Sequence, residues 1–234
     1  SSGWEYFHAI TAMRANPDWD AFQVSASFVD TYMDYYAGPG ARTKVGLSIV
    51  QTNQTSALLE SLQYFAQVVE ADPVALLSAL GTARNNSQAF GTSLGDRADT
   101  YSYIDLRDFM VWFSLQTTIS EDAFNAAQEV IAAFDAAVVY SRADDRLPRA
   151  SGLAIYLPTT PVVYANYGEQ YPNLAPSALA FWQDYLNNFY ATIVGALDGS
   201  ALQIDINTVF TMTETGSIID NPVVSFDAAG LGVI

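Results

Sequence analysis

Along the first 195 residues apolar positions recur mainly at helical spacing, and two short runs break that rhythm. Asn16-Pro17-Asp18 combines a capping residue, a proline suited to a first helical position and an acid at the positive helix end. Phe22, Ser25, Val29, Tyr32, Met33 and Tyr36 follow at near-helical spacing, which predicts a helix ended by Gly38-Pro39-Gly40. The next predicted helix carries Leu58, Leu59, Leu62, Phe65, Ala66 and Val69 on one face. Asp72-Pro73 caps another through Leu76, Leu77 and Leu80, and the polar stretch 81–95 fits a helix tail or a loop. Tyr103–Phe109 opens a helix with Leu106, Phe109, Met110 and Phe113 inward. Ser120-Glu121-Asp122 opens one bearing Phe124, Ala127, Val130, Ile131, Phe134 and Val138, and residues 142–149 read as a charged loop. Pro176 starts a last helix with Leu179, Trp182, Leu186 and Phe189.

The two exceptions are Val45–Val50 and Gly152–Leu157, short apolar runs that read as buried strands, the second stopped by Pro158. Two isolated strands do not make a sheet with both faces covered. This reading therefore places their partners ahead of Ser1 and takes the chain as the second half of an α/β domain. After Gly199 the period changes to two, with Leu202, Ile204, Ile206, Phe210 and Met212 apolar, and turns at 214–217 and 220–222. The expected organisation is an α/β part over residues 1–195 and the start of a truncated β-rich module over residues 196–234.

Composition removes function classes. No apolar run reaches the ~18 residues of a membrane span. The chain has 25 acidic and 9 basic residues, a net charge of −16, and so lacks the basic patch that nucleic acid or an anionic membrane needs. Cationic partners are favoured, although an acidic coat that keeps the protein soluble explains the same numbers. There is no cysteine and one histidine, His8. Disulfides, thiolate nucleophiles and the usual zinc sites are thus excluded within these residues.

Other chemistry finds little purchase. A serine nucleophile needs an elbow such as G-x-S-x-G, and Gly46-Leu47-Ser48-Ile49-Val50 lacks the second glycine, so Ser48 reads as core strand. His8 follows the aromatic run Trp4-Glu5-Tyr6-Phe7 and reads as scaffold. Paired acids could serve a glycosidase. Asp18 and Asp20 fit a helix start, Asp105 fits an N-cap with Asp108 on the same face, and Asp144 and Asp145 lie beside Arg142, Arg146 and Arg149 in a self-pairing loop. Neither a calcium loop nor a phosphate-binding loop is present. Asn53-Gln54-Thr55 and Asn85-Asn86-Ser87 match the N-glycosylation pattern.

Four stretches in order resemble a known family: Gly3-Trp4-x-Tyr6 with Asn16-Pro17 and Tyr35-Tyr36; Tyr103-Ile104-Asp105-Leu106-Arg107-Asp108-Phe109; Ser151-Gly152-Leu153-Ala154-Ile155-Tyr156-Leu157-Pro158; and Trp182-x-x-Tyr185-Leu186. Together they resemble the clostripain family of cysteine peptidases (C11) over roughly residues 1–190. The resemblance implies a caspase-like three-layer α/β fold, of which this chain would hold two sheet strands and covering helices. It implies endopeptidase activity, after Arg or Lys, in a secreted or surface-attached bacterial protein. It places the catalytic His and Cys in strands ahead of the Gly-Trp-x-Tyr segment, so no residue here inherits either role, and the isolated chain is expected to be inactive. An acid commonly stands just before that segment, near the specificity pocket; here those positions are Ser1 and Ser2. Ser2 and Trp4 are accordingly the candidate substrate-binding residues, as part of a cleft wall. The expected partners are a peptide or protein substrate and an N-terminal half of the same polypeptide, and no cofactor is expected apart from the calcium that the family resemblance allows. The alternative is a non-catalytic acidic surface or binding module of the same fold.

Overall fold

The structure is a computed structural model and describes residues 6–37, 44–90, 102–167 and 179–198. Its first helix, α1 (Tyr6–Ala15), ends where Pro17 removes a backbone donor. The second, α2 (Ala21–Tyr36), starts four residues later than Asn16-Pro17 predicts. The cap is Asp20, whose Oδ1 accepts from the Gln23 backbone at 2.8 Å while Gln23 Oε1 accepts from the Asp20 backbone at 2.9 Å. An acid followed three residues on by glutamine satisfies two orphan donors at once, and that reciprocal capping prevails over the lone Asn-Pro signal.

Helices α3 (Thr55–Ala71) and α4 (Pro73–Asn86) are joined by Asp72, which caps α4 through Ala75 N. The ambiguous polar stretch is helical as far as Asn86. Helix α5 (Leu106–Ser114) is capped by Asp105 and α6 (Glu121–Ala137) by Ser120. Helices α7 (Pro161–Tyr167) and α8 (Ala180–Asp198) follow, α8 crossing the expected boundary at residue 195. The rest of the expected β-rich module, 199–234, lies outside the described residues, as does the Pro176 helix start.

The expectation of two strands without partners in this chain is overturned. Five strands are described: β1 (Gly46–Val50), β2 (Ala89–Phe90), β3 (Tyr103–Asp105), β4 (Val138–Ala143) and β5 (Ala154–Tyr156). β1 pairs antiparallel with β4, with Ser48 opposite Ser141. β5 pairs antiparallel with β3, and β3 with β2. The two strands legible in sequence thus sit in different small sheets. β4 was hidden because Val138 continues the apolar rhythm of α6 with neither Gly nor Pro between them, and β3 because its three residues precede the Asp105 cap. The whole is a mixed helix and strand assembly, compatible with the α/β class.

The core lies mainly among α3, α4, α5, α6 and α8. Phe65 of α3 meets Phe109 and Phe113 of α5 edge-on, with ring centroids 6.3 and 5.2 Å apart, the arrangement ring quadrupoles favour. Ala123, Ala126 and Ala127 are fully buried, which lets α6 approach its neighbours closely. Trp182 brings α8 onto β5 by donating Nε1–H to the Tyr156 carbonyl at 2.8 Å, so its one polar atom is satisfied in the core. Buried Arg84 of α4 donates Nε–H to the Leu157 carbonyl at 2.9 Å, beside which the Tyr190 hydroxyl donates to Pro158 O at 2.6 Å.

Gly152 connects the two sheets. The Ser48 hydroxyl of β1 donates to its carbonyl at 2.8 Å, which confirms Ser48 as a strand residue with a structural bond. Gly152 has φ +129°, and a Cβ there would stand 2.8 Å from Ser48 Cβ and 3.0 Å from Val138 Cγ1. Gly152→Ala is expected to cost about 1–3 kcal/mol through backbone strain and this clash. Urea unfolding checks it, and a midpoint equal to that of the unmodified chain would contradict the assignment.

Candidate functional site

The densest polar constellation is built around Asp105, which is fully buried between β3 and α5. Local sequence dictates its place: the last residue of a strand that becomes the N-cap of a helix must turn its side chain toward the helix amides. Its Oδ1 accepts from Asp108 N at 3.0 Å and from the Ser151 hydroxyl. Its Oδ2 accepts from Ser151 N at 2.6 Å. Its backbone N–H donates to Gln88 O at 2.8 Å, and that of Leu106 to Leu153 O at 3.0 Å. One residue thereby ties the end of α4, the start of α5 and the strand entering β5.

Asp108, one helical turn on, completes the cluster. Its Oδ2 accepts from Gln88 N at 2.6 Å and from Arg149 Nε at 3.0 Å, and Arg149 also donates to Asn86 O at 2.6 Å. The two acids that the sequence places on one face are therefore together in space. Both are occupied by amides, a hydroxyl and a guanidinium. Their oxygens face partners that position the chain, and a glycosidase pair, which needs two carboxyls facing across a cleft, is not what they form.

Asp144 and Arg146 pair as the sequence predicts. Arg146 donates Nε–H to Oδ1 and a terminal N–H to Oδ2, both at 2.7 Å, and its backbone N–H reaches Oδ1 at 2.9 Å. The hydrogen bonds from the Arg146 side chain, then that from its backbone, hold the Asp144 carboxyl at about 2 against an ordinary 3.8. Asp144 is covered by its own loop and its partner; it is not part of the apolar core cluster. Asp145 is exposed. A second network docks α2 on β4: Tyr140 donates to Asp30 at 2.6 Å, and Arg142 reaches Asp30 at 2.9 Å and Asp34 at 3.0 Å. The hydrogen bond to Asp30 favours the protonated phenol and raises the Tyr140 pKa. Sequence reasoning missed this pairing because β4 itself was read as helix and loop. Tyr140 and Arg142 two positions apart on a strand, facing acids four apart on a helix, is the signal that a strand assignment would have revealed.

His8 lies exposed on α1 with its ring edge-on to Phe7, centroids 5.6 Å apart. Asp18 is also exposed. Ser2 and Trp4, the candidate cleft residues, lie outside the described residues. Among the described residues no group of three or more His, Asp or Glu is placed to hold a metal ion. A cleft of about 460 Å³ opens between the end of α3, the start of α4 and α8. Tyr185 in its wall is fully buried, and its hydroxyl has no hydrogen-bond partner among the described residues. Burial pushes the Tyr185 pKa far up, with the Glu70 carboxylate adding to it, so the phenol stays protonated. What these arrangements do chemically is fix chain geometry: each acid of the central cluster is spent on holding a loop or a helix start.

The sequence model of the clostripain family matches residues 1–189. No curated protein and no solved structure matches the chain.

Two measurements test the electrostatic assignments. Asp105→Ala removes a buried acceptor and strands the Ser151 and Asp108 amides; a loss of about 3 kcal/mol or more is expected in chemical denaturation, and a loss below ~0.5 kcal/mol, as at an ordinary surface site, would refute the clamp. The Asp144 carboxyl is depressed in the folded state, so its contribution is complete above the unfolded pKa near 3.8 and is lost as pH falls toward 2. Thermal unfolding should therefore show a gap between the parent chain and Asp144→Asn that is widest near pH 6 and closes by about pH 2. A gap independent of pH would be inconsistent with that ion pair.

Proposed function

This chain belongs to the clostripain family, and on that premise we propose that it serves peptide-bond hydrolysis as the non-nucleophilic part of a cysteine endopeptidase. The observation that carries the proposal is the conjunction of that family with a sequence of 234 residues that has no cysteine. A cysteine peptidase attacks through a thiolate, activated by a neighbouring imidazole. The sequence holds no thiol, and its one imidazole, His8, stands exposed on α1 beside Phe7. The thiolate and its base would therefore be supplied by residues other than these. On this reading the part over residues 1–195 supplies sheet strands, helical cover and one wall of the cleft, with Ser2 and Trp4 in that wall. The caspase-like layering, cleavage after Arg or Lys, and secretion or surface attachment are part of the same proposal and rest on family membership.

The partner strands found within the chain remove one earlier support, because β1 and β5 no longer require neighbours from elsewhere. The argument from the thiol is untouched. A second reading, a non-catalytic binding module of the same fold, is favoured by the net charge of −16. Purified chain is expected to leave Arg- and Lys-containing fluorogenic peptides uncut, with or without added calcium. Cleavage that disappears in His8→Ala would overturn the proposal. Restoration of thiol-dependent cleavage when the chain is co-expressed with the rest of its polypeptide separates the two readings: a peptidase gains activity and a binding module does not.

A further inference from the structure

The cleft between α3, α4 and α8 has a chemistry of its own. At its mouth stands Glu70, exposed at the end of α3. Asn188 of α8 donates Nδ2–H to Glu70 Oε1 at 2.8 Å, which orients the carboxylate and leaves the second oxygen without a bond from that amide. Val69 and Pro73 form one apolar side, and Phe189 stacks on Tyr185 on the other with ring centroids 5.8 Å apart. Among the described residues no Lys, Arg or His lines the cleft. Its volume, about 460 Å³, falls in the range of small-molecule sites.

These features select a ligand class. A carboxylate without a basic neighbour repels anions and attracts cations. Pro73 and the accessible part of Phe189 add apolar surface beside that charge. Apolar walls need a hydrophobic body to bury. The net charge of −16 raises the local concentration of cations around the whole molecule. We propose that this cleft is a binding site for a small organic ammonium ion with an apolar body, its charge on Glu70 and its body between Pro73 and Phe189. The proposal is independent of peptide-bond hydrolysis, since it invokes none of the residues assigned to that reading.

The test is calorimetric titration of the full 234-residue chain with 2-phenylethylammonium, and with 2-phenylethanol as its neutral counterpart. The amine is expected to bind with one site per chain, and the alcohol about tenfold or more weakly, the equivalent of ~1.4 kcal/mol. Glu70→Gln should weaken amine binding by about tenfold. Glu129→Gln, which removes the same charge from an exposed position on α6, should leave it within about twofold. Absence of amine binding at millimolar concentration, equal binding of amine and alcohol, or equal loss in the two variants would each overturn the site, the last by reducing the effect to general attraction between a cation and an acidic protein.

Discussion

A buried carboxylate is the constraint around which the middle of this molecule is organised. Burying a charge without partners costs several kcal/mol, and Asp105 has no accessible surface. The chain meets that cost with three donors from two places far apart in sequence: the amide of Asp108, and the amide and hydroxyl of Ser151. Because those donors must converge on one point, the entry to α5 and the residues leading to β5 are fixed relative to each other. The cluster extends outward through Asp108 to Arg149 and the last carbonyl of α4. Its members move from fully buried to half-exposed, so the inner bonds set geometry and the outer ion pair contributes less.

The apolar core complements this clamp. The clamp joins elements end to end, whereas the packing of α3, α5 and α6 acts along their sides. Phe65, Phe109 and Phe113 bury large ring areas that no charge network could replace, at about 25 cal/mol per Å² of apolar surface removed from water. Helix α8 is held by both means: Trp182, Leu186 and Phe189 fill the core while Trp182 and Tyr190 donate to the carbonyls of Tyr156 and Pro158. By contrast α1 buries only Ala9 and leaves Phe7 73% exposed, and among the described residues it rests mainly on α2.

Helix faces were legible in sequence where period and cap agreed. Leu58, Leu62, Phe65, Ala66 and Val69 are buried as their spacing predicts, as are Leu106, Phe109, Met110 and Phe113. Phe22 and Phe124 share the helical spacing of the buried positions yet are 47% and 41% exposed, each in the first turn of its helix. Strands were legible only as continuous apolar runs. β4 alternates too little to announce itself: Val138, Val139 and Tyr140 look like a further helical turn, and only pairing with β1 makes them extended. The Asp105–Asp108 pair was visible as two acids on a helix face, but Ser151 and Arg149 are brought to them by long-range folding that spacing does not encode.

The residues that carry the family resemblance acquire a common physical meaning. In Tyr103–Phe109, Asp105 and Asp108 are the clamp and Leu106 and Phe109 the core beneath it. In Ser151–Pro158, Ser151 closes the clamp, Gly152 permits the close approach of β1, and Ile155, Tyr156 and Leu157 fill the core. In Trp182-x-x-Tyr185-Leu186 all three named residues are buried in the same cluster. Stretches whose buried members are spent on packing or on satisfying a buried acid specify a scaffold. The chemistry of a thiol peptidase needs a partly exposed, activated group, and such a group imposes different demands on its neighbours from those met here. Scaffold and nucleophile thus make separate demands on sequence: these stretches meet the architectural ones in a chain of 234 residues that contains no cysteine.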